Sequence, residues 1–459
     1  MDLEGYARRL ILKDETDADV KLKERLLEIK EMPEEEALKS AAAILEETNA
    51  ARSMTGDVFE YYKSGVGMGE FGVGSRGFGD FYVHGKIGQV IGKTSAVLDS
   101  SNSDDSGVVR LDKKSDADYL VLTVDGIHSR LSAFPFLAGF HVAKAALRDI
   151  YVMGAKPSAM LSDIHIADDG DVSAIFDHLA GIAAVSELTG IPLVTGSTLR
   201  IGGDMVIGDR MSGCVGAAGA MAAEDLTARN RAKPGDLILM TEGTGGGTVT
   251  TTAIYSNYKN AAAVIDKTLN VDFLIAVQAI LDSEQKLYKK IHVMTDVTNG
   301  GVRGDAFEIS KEAGIRLIFE DGALLKCVES TVLEMFEDLK IDFRGVSIDS
   351  LLVICPPEIA EGLIQTVESV GVKMYVVGRI EEKKNGKFDT ALIIDGEEME
   401  FKPLFREAAY TPLKKVIGEK TPPDFEAMKK KVDEAAEAAV RKKERITAEI
   451  KKRKEIKKN

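Results

Sequence analysis

Apolar residues recur along this chain in two rhythms, short unbroken runs and positions three to four apart, the marks of strands and helices. The two meet between Tyr119 and Leu161. An apolar run ends on Asp125, and helical spacing then links Leu137, Val142, Ala145, Ala146, Ile150 and Met153, with Asp149 on the last turns. A Gly154-Ala155-Lys156-Pro157 stop follows, then a second apolar run, so the stretch reads strand, helix, strand. Upstream, helices are expected over Val20–Met32 and from Pro33 to Ala51, the second opened by proline and acids. Downstream, a helix is expected from Asp171 to Gly190, a strand over Ile191–Thr195, a turn from Gly196 to Asp204, and a strand over Met205–Ala218. A second unit begins near Ala232 with a strand, a glycine-rich turn and a helix start. The design repeats around Asp296. Strands at Ile315–Phe319, Val346–Cys355 and Lys373–Gly378 then alternate with helices at Val328–Phe336 and Pro357–Val370. The tail from Asp424 has strong helix formers and mixed charge, the pattern of a solvated helix.

Length adds a domain count. A chain of 459 residues carries a soft prior of two to three domains, and 44% hydrophobic residues supply a real core. The net charge of −15 argues against a general nucleic-acid binder. Cys214, Cys327 and Cys355 lack CxxC spacing and lie in apolar runs, so they read as structural thiols in a reducing compartment. The N-terminus lacks an apolar signal region, and no run reaches the ~18 apolar residues of a membrane span. A soluble, cytoplasmic protein is expected, with no membrane partner.

The candidate chemistry is acidic and glycine-rich. Asp125 closes a strand, Asp149 sits late on the following helix, and Asp296 closes a strand far downstream. Carboxylates so placed can converge on one cleft and, with Asp104 or Asp105, hold Mg²⁺ on a nucleotide. His128, three residues beyond Asp125, is expected to face that cleft; the other histidines lack metal-ligand spacing. The glycine-rich segment from Gly65 to Gly92 carries Arg76, Asp80, His84 and Lys86 among interleaved aromatics. It reads as a phosphate- or substrate-covering segment, with a flexible linker as the alternative. The turn at Gly243–Gly247 lacks the Gly-Lys-Ser/Thr of a Walker A loop. Phosphate contact at a helix N-terminus and a plain tight turn both remain open for it. Lys86, Arg148 and Arg303 are candidates to balance the charge of a transferred phosphoryl group.

Four stretches in this order resemble the superfamily of aminoimidazole ribonucleotide synthetase, thiamine-monophosphate kinase, the hydrogenase-maturation carbamoyl dehydratase and selenophosphate synthetase. They are Ser103–Val109, Thr123–Asp125 with Ala145–Pro157, Gly235–Thr252, and Thr295–Glu308. The resemblance covers roughly Gly65 to Arg406, and its pattern is similar to an uncharacterised synthetase-related branch. It implies a two-domain α/β (α+β) fold. That divides the chain into a helical extension (1–64), an ATP-binding and dimerisation domain (65–228), a C-terminal α/β domain (229–410) and a charged helical tail (411–459). It implies a homodimer, a small-molecule substrate, ATP, and Mg²⁺ on Asp104 or Asp105, Asp125, Asp149 and Asp296. Nucleotide contacts would fall at Gly77, Gly79, Asp80, Thr123, Gly154, Gly243, Gly245, Gly246, Thr295, Asn299 and Gly300. The implied activity is ATP-dependent phosphoryl transfer to an oxygen or other nucleophile of a metabolite. The chain departs from the family pattern in four places: no cysteine in the glycine-rich segment, Lys457-Lys458-Asn459 in place of the carbamoyl dehydratase's terminal cysteine, Arg148 before Asp149, and Gly196-Ser197-Thr198. A catalytically silent nucleotide-binding scaffold or regulatory protein is the alternative.

Overall fold

In the computed structural model, residues 1–53, 62–66, 71–72, 77–91, 97–98, 102, 104, 106–111, 117–298, 300–407 and 410–456 are described. Helices α1 (Leu3–Leu12), α2 (Ala18–Ile29) and α3 (Glu34–Ser53) open the chain. They bury Leu3, Leu10, Leu22, Leu26 and Ile44 among themselves and against Ile207. Lys30 pairs with Asp168 and, at 3.1 Å, with Asp169, and the Met1 amine donates to the Ile207 carbonyl. The N-terminal extension is therefore docked on the next domain.

Among its described residues, the glycine-rich segment expected to cover phosphate or substrate is largely helical. Helix α4 (Phe78–Ile91) occupies most of its second half, and the glycines at its start serve close packing. A Cβ on Gly77 would lie 2.4 Å from the Phe405 carbonyl oxygen, and one on Gly79 would lie 1.8 Å from that of Phe71.

Strands β1 (Gly107–Arg110) and β2 (Tyr119–Gly126) precede helix α5 (Pro135–Val152), which carries Pro at its first position, where the missing N–H costs no bond. Strand β3 (Lys156–Ile166), helix α6 (Ser173–Thr189), strand β4 (Leu193–Arg200) and strand β5 (Met211–Met221) complete the first sheet. Among the described residues its order is β1-β2-β5-β3-β4, antiparallel except for β3 with β4. The expected turn at Gly196 is a continuation of β4, because Gly196 to Arg200 stay in parallel register with β3. One face of this sheet packs Val121, Met160 and Val215 into the core shared with α5. The other leaves Leu122, Val124, Leu161 and Leu199 exposed, Val124 at 65%. The strand pairing sets Val124, Gly216 and Leu161 in one row across that outer face.

The second sheet follows from strand β6 (Leu237–Thr241). Helices α7 (Gly247–Tyr255), α8 (Ala261–Thr268) and α9 (Asp272–Asp282) precede strand β7 (Val293–Asp296). Helix α10 (Gly301–Ala313), strand β8 (Ile315–Glu320), helix α11 (Ser330–Asp338), strand β9 (Leu351–Cys355) and helix α12 (Pro357–Glu368) come next. Strands β10 (Met374–Glu382), β11 (Thr390–Ile394) and β12 (Glu397–Glu400) finish it, in the order β12-β11-β8-β10-β6-β9-β7. The chain is thus a mixed α/β protein with two helix-covered sheets. None of its described helices is long and apolar enough to cross a membrane.

Helix α13 (Pro412–Ile417) and the long α14 (Phe425–Ile456) end the chain. The first half of α14 is docked where a solvated helix was expected. Phe425 packs tilted against Phe71 at 5.1 Å and edge-on against Phe405 at 4.9 Å, and Asp433 accepts from Tyr82 at 2.5 Å and pairs with Lys86 at 2.7 Å.

The two sheets share one apolar core. Leu147, Ile150 and Val215 from the first domain lie in the same cluster as Leu274, Val277 and Leu351 from the second. At the edge of that seam sits a buried ion network. Lys144 approaches Asp349 at 2.5 Å, Arg148 pairs with the other Asp349 oxygen, and the Arg148 Nε lies 3.0 Å from Asp296. All four side chains are at least 93% buried. Asp349 holds the left-handed conformation, φ +61°, which Asp tolerates better than most residues.

Two outcomes follow. Asp349→Ala leaves two buried cations short of a counter-charge, and a loss of roughly 3–5 kcal/mol is expected in urea unfolding. At the N-terminal extension, the Lys30 bond holds the Asp168 carboxyl below its ordinary range. Its contribution is therefore complete above the unfolded carboxylate value of ~3.9 and is lost as pH falls through the lower folded value. Hydrogen exchange in α1–α3, corrected for intrinsic pH dependence, should accelerate only below about pH 4, whereas Lys30→Met should accelerate it at neutral pH.

Candidate active site in the inter-domain cleft

A cleft of about 680 Å³ runs between the two sheets, lined from both domains and from α4 and α13. Its floor is α5. On a helix, positions three to four apart share a face, and His141, Lys144 and Arg148 follow that spacing into the cleft. Every residue of α5 from Ala138 to Val152 except Asp149 is buried, so polar groups on this stripe sit in a low-dielectric wall. Burial, with Lys144 and Arg148 close by, keeps the His141 imidazole well below its ordinary pKa and hence neutral. Burial and the Arg148 guanidinium also push the Lys144 ammonium down, while Asp349 at 2.5 Å opposes that shift.

One side of the cleft is acidic. Asp125 closes β2, and Asp149 accepts a 2.7 Å bond from the Thr123 hydroxyl. Ser106 donates to the Asp149 carbonyl at 2.8 Å, and Asp104 accepts from the Arg229 backbone N–H at 3.1 Å. From the second domain come Asp296 at the end of the fully buried β7, and Asp305 and Glu308 one turn apart on α10. The Arg229 guanidinium reaches Asp305 at 3.3 Å, Glu308 at 3.7 Å and the Thr295 hydroxyl at 3.1 Å.

These donors suit a hard cation. Asp104, Asp125 and Asp149 are half-buried carboxylates on the cleft wall, and Mg²⁺ is typically held by one or two carboxylates plus phosphates and water. Among the described residues no three His, Cys, Asp or Glu side chains converge as a closed metal cage. The geometry thus fits an open site completed by a phosphate-bearing ligand.

The structure brings together most of the expected acids and few of the expected glycines. Asp104, Asp125, Asp149, Asp296, Thr123, Arg148 and Gly246 line the cleft, as does His128. Asp296 and Arg148 differ from expectation in one respect: each is engaged by the other in the seam network. Lys86 lies on α4 against Asp433, outside the cleft lining, and Arg303 ties α10 to Asp342 and Glu407, each at 2.9 Å. Neither reaches the cleft wall, because each is taken up by carboxylates on its own side of the fold. Gly77, Gly79, Gly154, Gly243, Gly245, Thr295 and Gly300 do not line it either. At Gly154 and Gly243 a Cβ would lie 2.1 Å from the carbonyl oxygens of Asp225 and Ile348, so close packing accounts for them. Asp105, Asn299 and the Asp80 side chain lie outside what is described. Sequence reasoning did not single out Lys144, Arg229, Asp305, Glu308, Asp349, Tyr410 or Lys414. The i, i+3 spacing of Asp305 and Glu308 behind Asp296 was an available signal; for Asp349 there was none.

Two family models match the chain. The N-terminal domain of AIR synthase related proteins covers residues 103–218, and the C-terminal domain covers 233–390. An uncharacterised protein of Methanocaldococcus jannaschii is 50% identical over 99% of both chains. A selenide, water dikinase of Myxococcus xanthus is 25% identical over 63% of this chain and 86% of its own length. In fold, the chain is similar to a hydrogenase maturation protein HypE in complex with ATP, with a TM-score of 0.54 and 19% identity over 64% of this chain and 87% of that one. With both domains present in order and a relative matched end to end, the chain belongs to the AIR synthase related family.

Proposed function

We propose that this protein is an ATP-dependent enzyme transferring a phosphoryl group to a small metabolite in the inter-domain cleft. The observation that carries this reading is the convergence of Asp104, Asp125 and Asp149 from one domain with Asp305 and Glu308 from the other around one cleft. Kinship with selenide, water dikinases supports it. Mg²⁺, when bound with nucleotide, would neutralise phosphate charge. Asp125 and Asp149 would hold it, with Asp104 beside them. Thr123 fixes the Asp149 rotamer, and Arg229 keeps Asp104, Asp305 and Glu308 in place against their mutual repulsion. Arg148 serves first as the counter-ion of Asp296 and Asp349, lending the floor a fixed positive charge. Catalysis of this kind rests on positioning and charge neutralisation and needs no protein nucleophile.

The same pairing favours a second reading, a nucleotide-binding scaffold without turnover, because Arg148 engages a carboxylate expected to bind metal. ATP consumption that depends on an added metabolite separates the two, the scaffold giving none.

A homodimer is proposed with the exposed outer face of the first sheet as its contact. Leu122, Val124, Leu161 and Leu199 are each 44–65% exposed there, and a second copy would bury a matching apolar surface.

Two measurements test these readings. Mg-ATP at ~100 times its Kd should stabilise by ~2.7 kcal/mol, a rise of about 3 °C in Tm at ~2.1 cal/mol/K per residue for a chain of this length. Asp125→Asn should abolish the Mg²⁺-dependent part; no shift in the wild type at millimolar Mg-ATP removes the ATP reading. In light scattering after size exclusion, the wild type should run as a dimer and Val124→Asp/Leu161→Asp as a monomer. A monomeric wild type rules the dimer out.

A further inference from the structure

Five lysines and arginines line the cleft: Arg130, Lys144, Arg148, Arg229 and Lys414. Three are neutralised in place, Lys144 by Asp349, Arg148 by Asp296 and Asp349, and Arg229 by Asp305 and Glu308. Arg130 and Lys414 are different. Among the described residues neither makes an ion pair, and each lies over an aromatic face. The Arg130 guanidinium is 3.9 Å from the Tyr255 ring centroid, and the Lys414 ammonium is 4.5 Å from that of Tyr410. A ring face attracts a cation but leaves its charge and its N–H donors available to an anion.

The rings are themselves tied down. Tyr255 donates its hydroxyl to the Arg130 carbonyl at 2.7 Å. His128 bridges the pair, with Nδ1 3.2 Å from the Thr251 hydroxyl, one helical turn before Tyr255, and Nε2 3.4 Å from the Tyr410 hydroxyl. A further polar atom waits on the floor of the same cleft. His141 is 6% exposed, and its Nδ1 has no hydrogen-bond partner, while its Nε2 meets the Thr250 hydroxyl at 3.0 Å. A Cβ added to Gly246, at the N-terminus of α7, would lie 3.8 Å from that Nδ1. An orphaned buried polar atom of this kind calls for an explanation, and a polar ligand in the cleft supplies one.

We infer that Arg130, Lys414 and His128 form an anion subsite that holds the phosphoryl acceptor by a carboxylate or phosphate group. The assignment of its occupant as the acceptor rests on the phosphoryl-transfer reading; the anion site itself does not. Tyr410 and Lys414 lie beyond residue 390, where the shared C-terminal domain ends. The subsite is therefore built partly from chain outside the family's two domains, where substrate choice can differ between relatives without disturbing the acidic side.

The test titrates the full-length protein with inorganic phosphate and with succinate and follows Tm. Both the wild type and Arg130→Gln/Lys414→Gln are measured, with Arg130→Lys/Lys414→Arg as the control for folding. One of the two anions should raise the wild-type Tm, and the tighter one identifies the group recognised. The glutamine variant should bind it at least ~10-fold more weakly, since two charge-assisted contacts are lost. The charge-conserving variant should retain most of the affinity. Equal affinities in wild type and glutamine variant, or no response of the wild type to either anion, overturn the subsite. Mg-ATP is run in parallel. Its shift should persist in the glutamine variant; its loss there would assign these cations to the nucleotide and overturn the acceptor role. A wild type that answers to the anion through Arg130 and Lys414 but ignores Mg-ATP would uphold the anion site while removing the phosphoryl-transfer reading.

Discussion

Lys144, Arg148, Asp296 and Asp349 meet at the seam between two sheets, each of them at least 93% buried. Two cations from α5 face two carboxylates from the second domain, so the set is neutral only when the domains are together. A buried charge without its partner is strongly destabilising, which makes the seam specific about register as well as closed. The apolar core continues across it through Leu147, Ile150 and Leu351. The cleft above the seam inherits that rigidity: its floor is one helix whose Lys144 and Arg148 are already paired, and its walls are the ends of β2 and β7.

The cleft lining holds two groups of different electrostatic character. In one, Asp104, Asp125, Asp149, Asp305 and Glu308 gather with Arg229 as the bridge between them. In the other, Arg130 and Lys414 rest on aromatic rings beside His128. A cation-laden polyphosphate belongs with the carboxylates and a bare anion with the uncompensated cations. Helices outside the two sheets contribute directly to this division. Helix α4 supplies Phe81 and His84 to the lining, and α13 supplies Lys414. Asp433 docks α14 on α4 through Tyr82 and Lys86, while Phe425 packs on Phe71 and Phe405 beside it.

Much of this was legible in the chain. The strand ending on Asp125, the helix carrying Asp149 and the strand ending on Asp296 were readable because apolar periodicity is local, and a carboxylate that interrupts it stands out. The glycines were harder. A glycine in sequence announces conformational freedom or close approach but not which neighbour approaches. Gly77, Gly79 and Gly243 answer to backbone carbonyls of Phe405, Phe71 and Ile348, far away in the chain. The helix at Phe78–Ile91 was missed for a related reason: glycine lowers helix propensity, and packing against α14 and Phe307 overrides it.

By itself the sequence determined the two-domain order, the alternation of strands and helices, and the acids at strand ends, because these depend on neighbours a few residues apart. Only the tertiary structure decided which charges are spent on one another. Arg303 and Lys86 were plausible phosphate partners until the fold set Asp342, Glu407 and Asp433 beside them. Arg148 became a counter-ion once Asp296 and Asp349 arrived from another domain. Arg130 and Lys414 kept their charge available because the groups that met them were aromatic rings. Charge pairing acts over a few ångströms in space, and nothing in residue spacing fixes which distant side chain will fill them.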